Sequence, residues 1–187
     1  MAQSWQAFRA AIPWVIARQQ YNLLGSHDTS RFLTQVRGNA AHNQLAVTLL
    51  FTYPGVASVY YGDEVGLQGE GGSGARGCMP WNREVWDLEL RSVYQALIRL
   101  RRSSPALIDG GFQVLAAEAD VLAFLRDAED EQIVVVAQRG PGILSAEPIE
   151  VAPSQGDADD VGRLGGDLGH PQSVAQRPGN GEQSAEA

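Results

Sequence analysis

The sequence contains no lysine, and all 14 of its basic residues are arginine. Its 22 acidic residues outnumber them and give a formal net charge of -8. Binding to nucleic acid requires clustered cations that displace counterions, so this balance argues against DNA or RNA as a partner. We attribute the absence of lysine to codons rich in G and C, and not to function.

Cysteine and long apolar runs are also scarce. Cys78 is the only cysteine among 187 residues, which excludes a disulfide framework within the chain. The longest apolar stretch, residues 45–61, is interrupted by Pro54 and Gly55, so it does not predict a transmembrane helix. Met1 is not followed by the charged and apolar regions of a signal peptide, and we therefore expect a cytoplasmic protein.

The histidines and carboxylates show no metal-binding pattern. His27, His42 and His170 are not spaced as a ligand cluster, and Cys78 has no second cysteine to pair with. The carboxylates do not form the kind of cluster that binds calcium. We therefore expect neither a metal nor a cofactor.

Aromatic residues are absent from residues 140–187, which are rich in Gly, Pro, Ala, Gln and acidic residues. Such a segment cannot bury enough apolar surface to offset the entropy of ordering it, so we predict a disordered tail. Its composition also fits a tail that is read in a shifted frame. A nucleotide sequence with no other frame encoding alternating apolar strands after codon 139 would exclude that account.

The first half of the chain alternates helical and extended patterns. Apolar spacing predicts helices, and β-branched or aromatic runs predict strands. The predicted elements are a helix over 2–19 interrupted at Pro13, a strand over 21–24, helical turns within 30–38, a helix over 40–52 and a strand over 56–61. A helical crossover between two strands predicts that they are parallel.

Both predicted strands end in a group of polar residues, His27, Asp28 and Arg31 after the first and Asp63 and Glu64 after the second. Parallel strands bring these groups to the same edge, where α/β barrels and open sheets have their active sites. A base, an acid and a fixed cation together suit a ligand with many hydroxyls, because each hydroxyl needs a donor and an acceptor.

Several of these residues also have a purely structural interpretation. Asp28 is as well suited to cap the following helix, as are Ser26 and Thr29. His42 lies near the start of a buried helix, where packing or capping is the usual role. Trp81 either stacks on a sugar ring or anchors its loop in the core, and the residues alone favour the anchor.

The second half predicts a mobile glycine-rich loop over 68–77, a helix over 88–102 and a small antiparallel sheet. The loop lacks the Gly-Lys-Ser/Thr ending of a phosphate-binding loop. Asp87 is the expected cap of the helix. Three arginines in its last turns, which suit the helix dipole, are expected to be solvated: Arg99, Arg101 and Arg102. The sheet is predicted from strands over 112–116, 121–126 and 133–137.

Three motifs resemble the alpha-amylase family of glycoside hydrolases and occur in the family's order. Residues 24–29, Leu-Gly-Ser-His-Asp-Thr, resemble its His-Asp motif. Residues 53–64 resemble its Pro-Gly and Tyr-Tyr-Gly-Asp-Glu motif, and residues 76–81 resemble its Arg-x-x-Met-Pro-Trp loop. The residues Ser-His-Asp-Thr and Cys-Met-Pro-Trp within these motifs are most similar to those of maltodextrin glucosidases, neopullulanases and cyclomaltodextrinases. Ser26 replaces the usual Asn, and residues 71–75 lack the Asp-Pro that often precedes the third motif.

The resemblance implies an α/β fold, the C-terminal portion of a (β/α)8 barrel, with residues 21–24 as strand seven and 56–61 as strand eight. It implies a barrel portion over 1–108 and a partial antiparallel β-domain over 109–139, before the tail over 140–187. The family's nucleophile and general acid lie on strands four and five, which this chain does not contain.

The resemblance also implies roles for individual residues. Asp28 would stabilise the transition state on an α-1,4-glucan or maltodextrin. The residues expected to bind substrate are His27, Arg31, Asp63, Glu64 and Trp81. We therefore expect a fragment of a retaining glycosidase that is inactive alone. The alternative is a non-catalytic carbohydrate-binding or scaffold module, and the motifs do not separate hydrolysis from transglycosylation.

Overall fold

A computed structural model describes residues 11–118 and 120–140. The beginning of the predicted helix over 2–19 and the predicted tail beyond residue 140 lie outside the described residues. In the described part, a short helix α1, Trp14–Ala17, begins directly after Pro13. The start of α1 at Trp14 agrees with the interruption that is predicted at Pro13.

Two short parallel strands follow, β1 (Tyr21–Leu23) and β2 (Val56–Ser58), in a register that pairs Tyr21 with Val56. Helices α2 (Phe32–Gln35) and α3 (Ala40–Thr52) connect them. The predicted parallel pair with a helical crossover is confirmed. Strand β2 is shorter than the predicted 56–61, because β1 offers it only three residues to pair with.

Helix α3 is the centre of the core. The side chain of Asn39 accepts a hydrogen bond from the backbone amide of His42 (2.9 Å) and so caps the helix. The amide of His42, and not its imidazole, takes part in this cap. The apolar sequence of the helix buries a cluster that continues onto the next long helix: Val47, Leu50, Phe51, Leu90 and Tyr94.

The next long helix is α4, Leu88–Ser103, which agrees with the predicted 88–102. The predicted cap is confirmed, since the carboxylate of Asp87 accepts a hydrogen bond from the amide of Leu90 at 2.8 Å. The rings of Phe51 and Tyr94 meet edge to face with centroids 6.0 Å apart. This contact packs α4 against α3.

Arg101, near the end of α4, corrects one prediction. Its guanidinium is half-buried and donates hydrogen bonds to the carbonyls of Phe51 (2.7 Å), Tyr53 (3.1 Å) and Gly55. Burial lowers its pKa. The expectation of a solvated helix end is wrong here, because carbonyls at and just after the end of α3 have no partner within that helix and Arg101 supplies the donors. Arg99 and Arg102 are exposed as expected.

A three-stranded antiparallel sheet follows the short helix α5, Pro105–Ile108. Its strands, β3 (Gly111–Ala117), β4 (Val121–Ala128) and β5 (Glu131–Gln138), confirm the predicted meander. The buried side chain of Arg126 joins this sheet to α3 by donating to the carbonyl of Thr52 (2.8 Å), and it also donates to the carbonyl of Gly110 (3.0 Å), directly before β3.

The two parallel strands expose apolar side chains at Tyr21, Leu23 and Val56, and Val59, directly after β2, is also exposed. Beside β2 an open cleft of about 480 Å³ is lined by Val56, Ala57 and the C-terminal half of α4. Strands of a parallel sheet are normally covered on both faces, whereas these side chains are exposed. No helix among the described residues has both the length and the apolarity needed to cross a membrane.

Candidate active site

The polar segments that follow β1 and β2 meet, as the parallel arrangement predicts. Arg31 Nη1 donates to Asp63 Oδ1 at 2.8 Å and to the carbonyl of Tyr61 at 2.7 Å. Gly25 lies so close to this pair that a Cβ atom at its position would come within 2.9 Å of Asp63 Oδ2. The glycine therefore allows the first segment to approach the second.

Arg31 is completely buried, with 0% of its side chain exposed. Its guanidinium carbon lies 4.6 Å from the ring centroid of Tyr60 and 4.9 Å from that of Tyr61. Nε and Nη2 have no hydrogen-bond partner among the described residues. The residue for which we expect a sugar contact thus has no exposed side-chain surface in this structure. In this structure it joins the two polar segments instead.

Asp63 and Glu64 are also engaged within the protein. The Asp63 side chain is 10% exposed, and burial raises the pKa of its carboxyl while Arg31 opposes that rise. Glu64 Oε2 accepts a hydrogen bond from the amide of Gly62 at 2.7 Å. Gly62 has a φ of 87°, which favours glycine. These carboxylates shape the second segment.

His27 and Asp28 differ from the buried pair, because 64% and 69% of their side chains are exposed. His27 Nε2 lies 3.2 Å from Asp28 Oδ2. Arg76 Nη2 lies 3.4 Å from the other oxygen, Oδ1, and Arg76 Nε donates to the carbonyl of His27 at 3.1 Å. The carboxylate of Asp28 thus has a partner on each oxygen and still faces solvent.

The alternative that Asp28 caps a helix is wrong. Helix α2 has Arg31 at its N-cap position, and no side chain caps it. The turn before it is stabilised by Ser26 and Thr29: the amide of Asp28 donates to Ser26 Oγ (3.2 Å), and the amide of Ser26 donates to Thr29 Oγ1 (3.3 Å). The carboxylate of Asp28 is left free of helix capping.

The glycine-rich segment over 68–77 packs on the residues that follow β1. The amide of Arg31 donates to the carbonyl of Gly69 (2.9 Å), and the amide of Gly71 donates to Ser30 Oγ (2.8 Å). At the other end of the segment, the hydroxyl of Tyr61 donates to the carbonyl of Gly77 at 2.9 Å. These bonds hold the segment against both polar groups.

Arg76 was not among the predicted site residues. It lies at the end of a short 3-10 turn, Gly74–Arg76, and reaches Asp28 across 48 residues of sequence. The only signal in the sequence is its place as the first residue of the Arg-x-x-Met-Pro-Trp motif. That motif indicates which residue is present, but it does not indicate which carboxylate the residue faces.

Trp81 corrects another expectation, since it is 80% exposed and does not anchor its loop in the core. Trp86, which is partly buried, fixes the loop instead. Its indole donates to the carbonyl of Pro80 at 2.5 Å and packs against the guanidinium groups of Arg83 and Arg91, 5.4 and 5.6 Å from the ring. The anchored loop presents the ring of Trp81 to solvent.

Comparison with known proteins identifies the family. A profile described as the alpha-amylase catalytic domain matches residues 3–106. The chain belongs to the alpha-amylase family. A cyclomaltodextrinase from Bacillus sp. is 43% identical over 129 residues, which are 68% of this chain and 23% of that enzyme. Neopullulanase 2 from Thermoactinomyces vulgaris is 38% identical over 135 residues, 71% of this chain and 23% of the enzyme.

Solved structures of the alpha-amylase family agree with the fold. The ligand-free cyclic alpha-maltosyl-(1→6)-maltose hydrolase from Arthrobacter globiformis matches with a TM-score of 0.70 and 41% identity. The match covers 74% of this chain and 32% of that one. The described residues thus have the fold of part of an alpha-amylase catalytic domain, of the TIM-barrel type, with a small antiparallel sheet. The chain spans less than a quarter of the two curated relatives.

Proposed function

We propose that this chain supplies the C-terminal part of the catalytic domain of a retaining glycosidase acting on α-1,4-glucans or maltodextrins. Strands β1 and β2 are then strands seven and eight of the barrel, residues 1–108 the barrel portion and 109–139 part of a β-domain. The observation that carries the proposal is the exposed His27–Asp28 pair after β1, beside Arg76. The family match supports it.

In this proposal Asp28 and His27 act on the sugar next to the bond that breaks. The carboxylate of Asp28 accepts hydrogen bonds from hydroxyls of that sugar, and the imidazole of His27 donates one. Positive charge develops on the ring in the oxocarbenium-like transition state, so a fixed carboxylate stabilises the transition state more than the ground state. Exposure of 64% and 69% leaves both side chains open to a ligand.

Of the other predicted residues, one contacts the sugar in this proposal and the others support the site from within the protein. Trp81, 80% exposed at the tip of an anchored loop, offers an aromatic face on which a sugar ring stacks. Arg31 and Asp63 support the site from below and do not touch the sugar, because their side chains are buried. Glu64 borders the site through its bond to Gly62.

The chain alone is inactive in this proposal. Retaining hydrolysis requires a nucleophile and a general acid on opposite sides of the glycosidic bond. Asp63 accepts a hydrogen bond from Arg31, and Glu64 accepts one from the amide of Gly62. Of the carboxylates in the two polar segments, Asp28 is therefore the one that is exposed to a ligand. The uncovered apolar side chains of the two strands support the view that further barrel strands belong beside them.

A second candidate is a non-catalytic carbohydrate-binding module. It is favoured by the exposed ring of Trp81 on a loop adjoining exposed polar groups, since an aromatic face with a few hydrogen-bonding groups is sufficient to hold a sugar. The two candidates differ in affinity. A site that has lost most of its barrel binds weakly, whereas a complete module binds without further residues.

Calorimetric titration of maltotriose into the full chain separates them. The fragment proposal predicts a Kd weaker than about 1 mM, or less than about 4 kcal/mol of binding free energy. A Kd in the micromolar range that is lost in Trp81→Ala would favour the module and contradict the fragment proposal. Asp120→Asn, at an exposed carboxylate directly before β4, is the control for general effects of substitution.

A further inference from the structure

Arg76 contacts two consecutive residues of the turn after β1. Its Nε donates to the carbonyl of His27 at 3.1 Å, and its Nη2 lies 3.4 Å from Asp28 Oδ1. The two donors belong to one edge of a planar guanidinium, so both contacts fix its orientation together. His27 Nε2 lies 3.2 Å from the opposite carboxylate oxygen, Oδ2. The carboxylate of Asp28 thus has Arg76 beside one oxygen and His27 beside the other.

The position of Arg76 is itself determined by its loop. A Cβ atom at Gly69 would lie 2.2 Å from the carbonyl oxygen of Gly74, so the two halves of the loop approach each other as closely as glycine allows. The carbonyl of Gly69 accepts from the amide of Arg31, and that of Gly77 from the hydroxyl of Tyr61. The loop is therefore fixed to both polar segments.

We propose that Arg76 is a positioning residue that orients the carboxylate of Asp28 toward the sugar. That the orientation serves sugar binding rests on the proposed function. The contacts that orient the carboxylate are present in the chain whether or not it acts on a sugar. A lysine at position 76 keeps the charge and reaches only one of the two acceptors, because its ammonium lacks the planar pair of donors. Arg76→Lys is therefore a partial replacement, and Arg76→Gln removes the charge.

The exposure of the pair separates positioning from stability. The Arg76 and Asp28 side chains are 56% and 69% exposed, and exposed ion pairs add little to the free energy of unfolding. Loss of Arg76 should then loosen residues 27–29 without lowering the melting temperature. If Arg76 only held its own loop together, its loss would loosen residues 69–77 as well.

The test is ¹⁵N relaxation of the full chain, in the wild type and in Arg76→Gln, Arg76→Lys and Arg139→Gln. Arg139 is the matched control, since it forms a similarly exposed pair with Asp120 at 3.0 Å. We expect backbone order parameters near 0.85 at residues 27–29 in the wild type and in Arg139→Gln. They should be lower in Arg76→Gln than in both of these proteins and intermediate in Arg76→Lys, with residues 69–77 unchanged.

Three results would overturn the proposal: order parameters at 27–29 that are low already in the wild type, no difference between Arg76→Gln and Arg139→Gln, or equal loosening of residues 69–77. The measurement needs no sugar. A failure of the proposed glycosidase function therefore leaves its result intact, and a failure of Arg76 as a positioning residue leaves the proposed function intact.

Discussion

Asp28→Asn is expected to lower kcat about 10²- to 10³-fold in a chimera in which residues 3–140 replace the matching segment of the Bacillus sp. cyclomaltodextrinase. The magnitude is that of removing one preorganised electrostatic partner of a transition state. The amide keeps the shape of the carboxylate and loses its charge, so the loss falls on the charged transition state. We expect kcat and kcat/KM to fall equally, with KM nearly unchanged.

The matched control for this substitution is Asp120→Asn, which removes an exposed carboxylate directly before β4. It should leave kcat within about twofold of the unsubstituted chimera, because surface substitutions away from a site have small effects. Initial rates on a nitrophenyl maltoside over a range of concentrations give both constants. If Asp28→Asn keeps more than a third of the kcat, Asp28 does not have the proposed role.

Arg31→Ala is expected to lower the free energy of unfolding of the full chain by about 3–5 kcal/mol, the usual cost of removing one partner of a buried ion pair. The substitution leaves the carboxylate of Asp63, in a side chain only 10% exposed, without its cation. It also removes the hydrogen bond that Arg31 donates to the carbonyl of Tyr61 at 2.7 Å and the contacts with two aromatic rings. Urea unfolding at pH 7 measures the change.

The pH dependence supplies a second signature of the same pair. Burial raises the pKa of Asp63 above its ordinary value of 3.8, and Arg31 opposes that rise. A carboxyl whose pKa is higher in the folded state than in the unfolded state binds more protons in the folded state. The contribution of Asp63 to the free energy of unfolding therefore falls as the pH increases from 3.8 through its pKa in the folded state. Without Arg31 the pKa rises further. The free energy of unfolding of Arg31→Ala should therefore decrease more with increasing pH than that of the wild type, and the decrease should extend to a higher pH.

Two further variants decide whether the pair is responsible. Arg139→Ala removes an exposed ion pair and should change stability by less than about 1 kcal/mol. Asp63→Asn added to Arg31→Ala removes the stranded charge and should recover part of the lost stability. A loss below about 1 kcal/mol in Arg31→Ala, or no recovery in the double variant, would contradict the interpretation of Arg31 as the buried link between the two segments.

Elements with a clear apolar pattern could be predicted from the sequence. Helix α3 has the bounds predicted for it, and α4 begins at the residue after its predicted cap, Asp87. The parallel pairing of β1 and β2 followed from the helical crossover, which leaves few other arrangements. The meeting of the two polar segments followed from that pairing and is confirmed by the contact between Arg31 and Asp63.

Side-chain environments at the site could not be predicted in the same way. An arginine in a polar segment has the same pattern whether it is buried or exposed, and the burial of Arg31 depends on two tyrosine rings 29 and 30 residues away in sequence. Arg101 and Arg76 likewise reach acceptors that only the folded chain brings near. Trp81 does not anchor its loop, and the indole of Trp86, for which the sequence suggested no role, donates to the carbonyl of Pro80 instead.

Hydrolysis of a nitrophenyl maltoside by the purified full chain, with the chimera measured beside it, tests the central claim most directly. The claim is that this chain contributes the supporting carboxylate Asp28 to a site whose nucleophile and general acid it does not contain. We predict no turnover by the chain alone and measurable turnover by the chimera. Turnover by the chain alone that Asp28→Asn abolishes would contradict the claim.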